Sequence, residues 1–229
     1  MKPHLLILHG ALGAKKQFAE IAKLLDEHFE VHTLEFDGHG TLSDYPEDLS
    51  IEHFASQTRA TLRALGWEKP VVFGYSMGGY VALKLESEHT GTFSSILTLG
   101  TKFNWTPESA EQEARMLNPE KIEEKIPAFG VYLASLHGNP EWKILMGKTA
   151  QMMVKMGNHP PITEEVLSKV SPNVVCLRGS KDVMVNEEET RWAVNALPNA
   201  QFEEKAEWQH PIDKVPANEL VQVIVEKLG

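Results

Sequence analysis

The chain has 229 residues, a formal net charge of −10 and 42% hydrophobic residues, which is the size and composition of one globular domain with a substantial core. Nucleic-acid binding needs clustered lysine and arginine, and no stretch of the chain supplies such a cluster, so a nucleic-acid partner is excluded. No apolar stretch approaches the roughly 18 residues of a membrane span, and the first apolar run, residues 5–8, is too short for a signal-peptide core. We therefore expect a cytoplasmic protein with no membrane partner.

Six strand-like runs follow one another along the chain, and most are separated by segments with helical periodicity. They are residues 5–9, 31–36, 71–75, 95–100, 174–179 and, more weakly, 201–208. Runs that are apolar throughout and alternate with amphipathic helices are typical of a parallel sheet that is covered on both faces. The single cysteine, Cys176, lies within such a run, which favours a buried core residue over a reactive thiol. The pattern predicts an α/β fold.

One interval, residues 102–169, contains no convincing strand and reads as several short helices. These helices are interrupted at Pro107, Pro119, Pro127 and Pro140. Because a helical insertion between two sheet strands is typical of a lid, we divide the chain into a core, residues 1–101 and 170–229, and a lid segment, residues 102–169. Five of the eight methionines lie in the lid segment. Flexible thioethers suit a surface that adapts to apolar ligands, but they also fill gaps between packed helices.

Ser76 lies at the centre of a G-x-S-x-G sequence, where the third run gives way to a helical segment. A serine on a sharp turn between strand and helix has a strained backbone, and only small residues two positions before and after it leave room. Gly74 and Gly78 occupy these positions, and Gly79 adds clearance for the helix. Since a purely structural turn needs no serine at its apex, we interpret Ser76 as a nucleophile.

A serine nucleophile needs a base, usually a histidine that a carboxylate holds in the required tautomer. In a parallel sheet, such groups project from loops at the carboxyl ends of the strands. Asp182 follows the fifth run and His210 follows the sixth, so both are predicted at the same edge as Ser76. We expect Asp182 to be the acid and His210 the base, in the chain order nucleophile, acid, base. Asp37 and Asp213 are weaker candidates for the acid.

The same chemistry needs hydrogen-bond donors for the oxyanion that develops on a substrate carbonyl. Met77 opens the helix after the serine, so its N–H lacks a helical partner and lies at the positive end of the helix dipole. The loop after the first run supplies a second donor, for which we choose the N–H of Ala11. His9 and His39 adjoin glycine-containing turns, and we interpret both as residues that order these turns.

The sequence resembles the α/β-hydrolase superfamily through nearly its whole length outside the lid segment. The resemblance rests on HGALG at 9–13, DGHG at 37–40, GYSMGG at 74–79, GSKD at 179–182 and WQHPIDKVP at 208–216. It implies the same roles that the residues themselves suggest. These are Ser76 as nucleophile, Asp182 as acid, His210 as base, and the N–H groups of Ala11 and Met77 as the oxyanion hole.

Departures from the superfamily pattern narrow the expected fold and reaction. Only four residues precede Leu5, which leaves no room for the antiparallel hairpin that usually begins the sheet, so we expect a reduced, mostly parallel sheet of about six strands flanked by helices. Members that dehalogenate or open epoxides have aspartate at the position of Ser76. Menaquinone-pathway members tend to have arginine where this chain has Tyr80, and the lid segment offers only Arg115, so a multiply anionic substrate is disfavoured.

The resulting hypothesis is a serine hydrolase that cleaves a small, mainly apolar carboxylic ester through an acyl-enzyme, with no metal or organic cofactor. The same three residues also serve carbon–carbon bond hydrolysis, lyase and thioesterase chemistry, and a further alternative is a non-catalytic ligand-binding protein. We expect substrate contacts from aromatic and methionine side chains of the lid segment, although packing explains such side chains equally well. The candidates are Phe103, Trp105, Tyr132, Trp142 and Met152.

Overall fold

The six strand-like runs form one sheet in the computed structural model, which describes residues 2–42 and 47–229. The strands are β1 (His4–Leu8), β2 (Glu30–Leu34), β3 (Val71–Tyr75), β4 (Ser95–Leu99), β5 (Asn173–Gly179) and β6 (Ala200–Lys205). Their order across the sheet is β2-β1-β3-β4-β5-β6, and every neighbouring pair is parallel. The prediction of a reduced parallel sheet of six strands is confirmed.

Ten α-helices lie in the described part of the chain. They are α1 (Ala19–Leu25), α2 (Ile51–Leu65), α3 (Met77–Glu88), α4 (Pro107–Met116), α5 (Pro119–Lys125), α6 (Pro127–His137), α7 (Glu141–Asn158), α8 (Glu164–Leu167), α9 (Glu187–Ala196) and α10 (Ala217–Leu228). None of these helices combines the length and the apolar character that crossing a bilayer requires.

Helices cover both faces of the sheet, which is why the central strands are apolar throughout. Alternate residues of a strand point to opposite faces. On one face, Leu6, Val72 and Cys176 pack with residues of α2, α3 and α9, and on the other face, Leu5 and Phe73 pack with residues of α1 and α10. Cys176 is fully buried, and this burial raises the pKa of its thiol to about 11, as expected for an inert core residue.

The weak strand signal of β6 follows from its position at the edge of the sheet. A residue on an edge strand is only partly covered, so polar side chains are tolerated there. The carboxylate of Glu203 pairs with the ammonium groups of Lys205 and Lys227, the latter on α10. Charged side chains on an edge strand also oppose pairing with a second sheet.

The lid segment consists of α4 to α8, inserted between β4 and β5, and contains no strand among its residues, all of which the structure describes. Four of its six prolines mark where helices begin: Pro107, Pro119 and Pro127 are the first residues of α4, α5 and α6, and Pro140 directly precedes α7. Proline suits a helix start because the first N–H groups have no partner within the helix. The division of the chain into core and lid at residues 102 and 169 stays a prediction.

Alanine substitutions at two glycines of α7 are expected to have opposite effects on stability. A Cβ on Gly157 would overlap the Cβ of Ala110 in α4 and would lie 2.7 Å from the Thr106 carbonyl oxygen, whereas no described atom lies within 4 Å of a Cβ on Gly147. Gly157→Ala must push α4 and α7 apart, so we expect it to lower the free energy of unfolding by about 1–3 kcal/mol. Gly147→Ala is expected to raise it by about 0.5–1 kcal/mol, because alanine is the better helix former. Urea denaturation measures both, and equal effects would contradict this packing.

Candidate active site

Ser76 lies on a sharp turn between β3 and α3. Its backbone angles, φ 52° and ψ −116°, are strained for a residue with a side chain. The Ser76 N–H donates a hydrogen bond to the carbonyl oxygen of Leu99 at 2.8 Å, and the Thr101 hydroxyl donates to the Ser76 carbonyl oxygen at 3.0 Å. Contacts with the end of β4 and the residues after it therefore hold the turn in place.

The glycines around Ser76 allow the turn to pack against its neighbours without side chains in between. A Cβ on Gly74 would lie 2.5 Å from the Cα of Gly79, and a Cβ on Gly78 would overlap the carbonyl oxygen of Leu8 at the end of β1. The spacing of glycines in G-x-S-x-G is thus explained by close backbone approach. The absence of a side chain at Gly78 lets the start of α3 lie directly against the loop that follows β1.

Asp182 and His210 form a buried hydrogen-bonded pair. The Nδ1 atom of His210 lies 2.8 Å from Oδ2 of Asp182, and the two side chains are 9% and 1% exposed. The other oxygen of Asp182, Oδ1, accepts hydrogen bonds from the N–H groups of Met184 at 2.8 Å and Val185 at 2.9 Å. Burial opposes ionisation of Asp182, but the hydrogen bond and charge of His210 together with the two N–H groups outweigh it and lower the pKa of Asp182.

The ionised carboxylate fixes the tautomer of His210. An ionised carboxylate can only accept hydrogen bonds, so Nδ1 of His210 carries a proton and Nε2 of the neutral ring has a free lone pair. The Tyr75 hydroxyl donates to the His210 carbonyl oxygen at 2.8 Å. Gly100, with φ +62°, leaves space beside the pair: a Cβ there would lie 3.2 Å from Nδ1 of His210 and 3.3 Å from Oδ2 of Asp182.

Arg178 braces the loop that carries Asp182. Its Nε donates to the Val185 carbonyl oxygen at 2.8 Å, its Nη2 donates to the Asp182 carbonyl oxygen at 3.2 Å, and its Nη1 lies 2.6 Å from Oε2 of Glu204. Sequence reasoning missed Arg178, Tyr75 and Gly100. Gly100 could have been found from its place directly after a strand, at the same edge as Ser76, whereas nothing in the sequence signals the side-chain directions of the other two.

Ser76 and His210 line one cavity together with Ala11 and Met77. Its walls are mostly apolar, and the lid segment contributes Trp105 and three methionines. These methionines are Met152, Met153 and Met156. The structure thus brings the predicted nucleophile, base and oxyanion-hole residues to one cavity, with Asp182 directly behind His210.

The charged part of the cavity wall is an ion pair between two lid residues. Nζ of Lys102 lies 3.3 Å from Oε1 of Glu113, and both side chains are largely covered. Because the two charges compensate each other, this wall carries no net charge. The pair was not among the residues picked out from the sequence.

The five predicted substrate-contacting residues fall into three groups. Trp105 and Met152 line the cavity with Ser76, and Phe103 lines a neighbouring cavity that also borders Trp105. Tyr132 and Trp142 line neither cavity, which corrects their expected placement. Trp142 is 2% exposed and packs in a separate cluster of lid side chains, and the exposed Tyr132 hydroxyl accepts a hydrogen bond from Gln17 at 2.9 Å.

Among the described residues, neither of the two weaker candidates for the acid is hydrogen-bonded to His210. Oδ2 of Asp37 lies 2.7 Å from Nε2 of His53, and its other oxygen accepts from the amide of Gln57 at 2.8 Å. Asp213 is exposed in a short 3₁₀ helix, Ile212–Lys214. Asp182 is therefore the favoured acid on geometric grounds.

His9 and His39 are buried and bind backbone groups of neighbouring turns. Nε2 of His9 accepts from the Phe36 N–H at 3.1 Å, so Nδ1 carries the proton and donates to the Gly10 carbonyl oxygen at 2.8 Å. Nδ1 of His39 lies 3.1 Å from the Asp37 carbonyl oxygen. Burial lowers the pKa of both rings, that of His9 to about 4. These contacts agree with the expectation that both histidines order turns.

A third buried histidine, His137, adjoins these two and was missed from the sequence. Its Nδ1 accepts from the Gly40 N–H at 2.8 Å, and its Nε2 donates to the Leu12 carbonyl oxygen at 3.0 Å. Its ring centre lies 6.0 Å from that of His39, and burial lowers its pKa as well. Within residues 2–42 and 47–229, no group of three or more His, Cys, Asp or Glu side chains has an arrangement suited to a metal ion.

Residues 3–120, slightly more than half of the chain, match the model of the family described as alpha/beta hydrolase fold. The chain belongs to the α/β-hydrolase family. The resemblance found in the sequence is therefore confirmed, as is the prediction of an α/β-hydrolase. A solved esterase from Thermogutta terrifontis has the same fold, with a TM-score of 0.78 at 18% identity over 99% of this chain and 90% of that one.

Curated relatives match shorter segments. This chain is 33% identical to a serine hydrolase-like protein of Homo sapiens over 81 residues. The aligned residues make up 34% of this chain and 40% of that protein. The chain is 31% identical over 81 residues to a pimeloyl-(acyl-carrier protein) methyl ester esterase of Xanthomonas campestris pv. campestris, which is 35% of this chain and 30% of that protein. The match thus spans less than half the length of these relatives.

The buried histidines predict that the α/β-hydrolase loses stability between pH 7 and pH 5. A histidine whose folded pKa is depressed stabilises the fold above its unfolded pKa of about 6.5, and this stability is lost as the pH falls towards the folded pKa. With a folded pKa of about 4, His9 alone is expected to remove about 2 kcal/mol at pH 5. Burial raises the pKa of Glu35, which acts in the opposite direction. This is one group against four histidines with a lowered pKa, since burial also lowers the pKa of His32.

Urea denaturation at pH 7 and pH 5 measures this difference in the free energy of unfolding. In His9→Gln the difference should be smaller than in the wild type, because glutamine does not titrate in this range. Equal stability of the wild type at the two pH values would show that the histidines do not become protonated on unfolding.

Proposed function

We propose that this protein is a serine hydrolase that cleaves a small, mainly apolar carboxylic ester. The observation that carries the proposal is the buried pair of Asp182 and His210, whose imidazole lines the same cavity as Ser76 on its strained turn. A serine, an imidazole and an ionised carboxylate are the three groups that acyl transfer requires.

The first half of the proposed reaction acylates Ser76. Nε2 of His210 takes the hydroxyl proton while Oγ of Ser76 attacks the ester carbonyl carbon, and Asp182 stabilises the imidazolium that forms. When the tetrahedral intermediate collapses, the imidazolium returns the proton to the departing alkoxide, which leaves as an alcohol. In the second half, His210 takes a proton from water as it attacks the acyl carbon. When this second intermediate collapses, the imidazolium returns the proton to Oγ of Ser76 and the carboxylic acid is released.

The oxyanion of the intermediate is proposed to accept hydrogen bonds from the N–H groups of Ala11 and Met77. Both residues line the cavity beside Ser76. Met77 is the first residue of α3, so its N–H has no acceptor within the helix and lies at the positive end of the helix dipole. The close approach of Gly78 to the end of β1 supports this assignment, since it brings the start of α3 next to the loop that carries Ala11.

The proposed substrate class follows from the cavity wall. Apolar side chains of the lid segment cover the space next to Ser76, and the compensated pair of Lys102 and Glu113 offers no net charge to an ionic substrate. A neutral ester with a small apolar acyl group fits these walls best. The esterase named among the relatives, from Xanthomonas campestris, and the esterase from Thermogutta terrifontis agree with ester chemistry.

Ser76→Ala is expected to lower kcat/KM for an activated short-chain ester, such as 4-nitrophenyl acetate, by at least about 10⁴-fold, because the nucleophile is lost. Ser87→Ala is a matched control: Ser87 lies in α3 and its hydroxyl donates to the Lys84 carbonyl oxygen, away from the cavity. Turnover in Ser76→Ala at the wild-type rate would remove Ser76 from the mechanism.

Asp182→Asn is expected to lower kcat by about 10³–10⁴-fold with little change in KM. The N–H groups of Met184 and Val185 hold one side-chain oxygen, so the new amide NH₂ faces Nδ1 of His210. That contact reverses the tautomer, placing the proton on Nε2 where it prevents the ring from accepting one from serine. Asp213→Asn, at an exposed site, is the control. Comparable losses of kcat in both variants would contradict the role of Asp182.

A further inference from the structure

We propose that His137 of the lid segment is a positioning residue for the proposed oxyanion hole. Its ring ties the turn that contains Ala11 to the lid segment. This inference rests on the proposed function, because it assigns His137 a role in the reaction through Ala11 and not through contact with the substrate.

His137 is the last residue of α6, and its side chain is buried against two loops of the core. Nδ1 of His137 accepts a hydrogen bond from the Gly40 N–H, in the loop after β2. Nε2 donates a hydrogen bond to the Leu12 carbonyl oxygen, in the loop after β1. One nitrogen accepts and the other donates, so the ring is held as a single neutral tautomer. A side chain of the lid segment thus joins two loops at the carboxyl edge of the sheet.

The turn after β1 needs such an anchor because its backbone is strained. Leu12 has φ +55°, a left-handed conformation that a residue with a side chain adopts only when its surroundings hold it. At one end of the turn, Gly10 is held by the Gly13 N–H and by His9. At the other end, His137 holds the Leu12 carbonyl. Ala11 lies between the two anchors, so they set the direction of its N–H.

An oxyanion donor is effective only in the correct position. A displacement of about 1 Å can cost a catalytic group about 100-fold in rate. Loss of the anchor at Leu12 is therefore expected to lower kcat while leaving KM nearly unchanged, because the apolar walls that bind the substrate do not include His137.

The same helix provides a matched control. The hydroxyl of Tyr132, also in α6, accepts a hydrogen bond from the Gln17 side chain at 2.9 Å and so links the lid segment to the core just beyond the turn, where the Gln17 oxygen accepts from the Ala14 N–H. Tyr132→Phe removes a contact of similar kind without touching Leu12. If α6 matters only as a structural element, Tyr132→Phe and the His137 variants should behave alike.

Two substitutions separate the nitrogens of His137. Glutamine places an N–H donor near the position of Nε2 and can retain the bond to Leu12, whereas asparagine places an acceptor near Nδ1 and retains only the bond from Gly40. We expect kcat of His137→Asn and His137→Ala for 4-nitrophenyl acetate to fall about 100-fold, with KM within about 3-fold of the wild type. His137→Gln and Tyr132→Phe should remain within about 3-fold of the wild type in both constants.

Hydrogen exchange of peptides covering residues 9–13 provides a readout that does not depend on activity. Exchange should become faster in His137→Asn and His137→Ala and remain unchanged in His137→Gln and Tyr132→Phe, since only the first two free the turn. Equal kcat in the glutamine and asparagine variants, a loss confined to KM, or unchanged exchange in His137→Ala would each overturn the inference.

Ser76→Ala in the same assay distinguishes failure of this inference from failure of the proposed function. Ser76-dependent turnover that His137→Asn leaves intact overturns the role of His137 alone. Turnover that does not depend on Ser76 overturns the proposed function, and with it any catalytic meaning of the anchor, even where exchange shows that His137 holds the turn.

Discussion

The hydrogen bond between the Ser76 N–H and the end of β4 is the constraint on which the candidate site depends. It fixes a strained residue at the carboxyl end of a central strand, and the parallel neighbours of that strand then deliver their own loops to the same edge. Asp182 follows β5 and His210 follows β6, so neither needs a long loop to reach the cavity. The strain at Ser76 persists because packing against β1 and β4 leaves the turn no room to relax.

Buried titratable side chains at this edge of the sheet differ in whether they carry a charge. Asp182 is buried but remains ionised, because it accepts from two N–H groups and from His210. His9 and His137 are buried with one acceptor and one donor each, an arrangement that suits only a neutral ring. Burial alone therefore does not decide the charge of a side chain. The charge depends on which hydrogen-bond donors and acceptors surround the side chain.

The sequence predicted those features that depend on local pattern. Strand runs, helix interruptions at proline and the turn at Ser76 all follow from a few neighbouring residues, and the order of Asp182 and His210 follows from strand ends. The position of Trp142 could not be predicted in this way, because an apolar side chain on a lid helix packs equally well against another helix or a cavity. Only the packing of α5, α6 and α7 decides between the two. Arg178 and His137 were missed because neither lies in a recognised motif, and the sequence does not show which side chain will bind a backbone group such as the Val185 or Leu12 carbonyl.

The lid segment contributes to the site in two different ways, and this makes it more than a cover. Through Met152 and its neighbours on α7 it forms the apolar wall, and through His137 on α6 it reaches the turn after β1. Since α6 and α7 are packed together by the cluster around Trp142, wall and anchor belong to one packed unit. A change in how that unit sits on the core would alter the space beside Ser76 and the position of the Ala11 N–H together. In the proposed reaction, this would couple the choice of substrate to the stabilisation of its oxyanion.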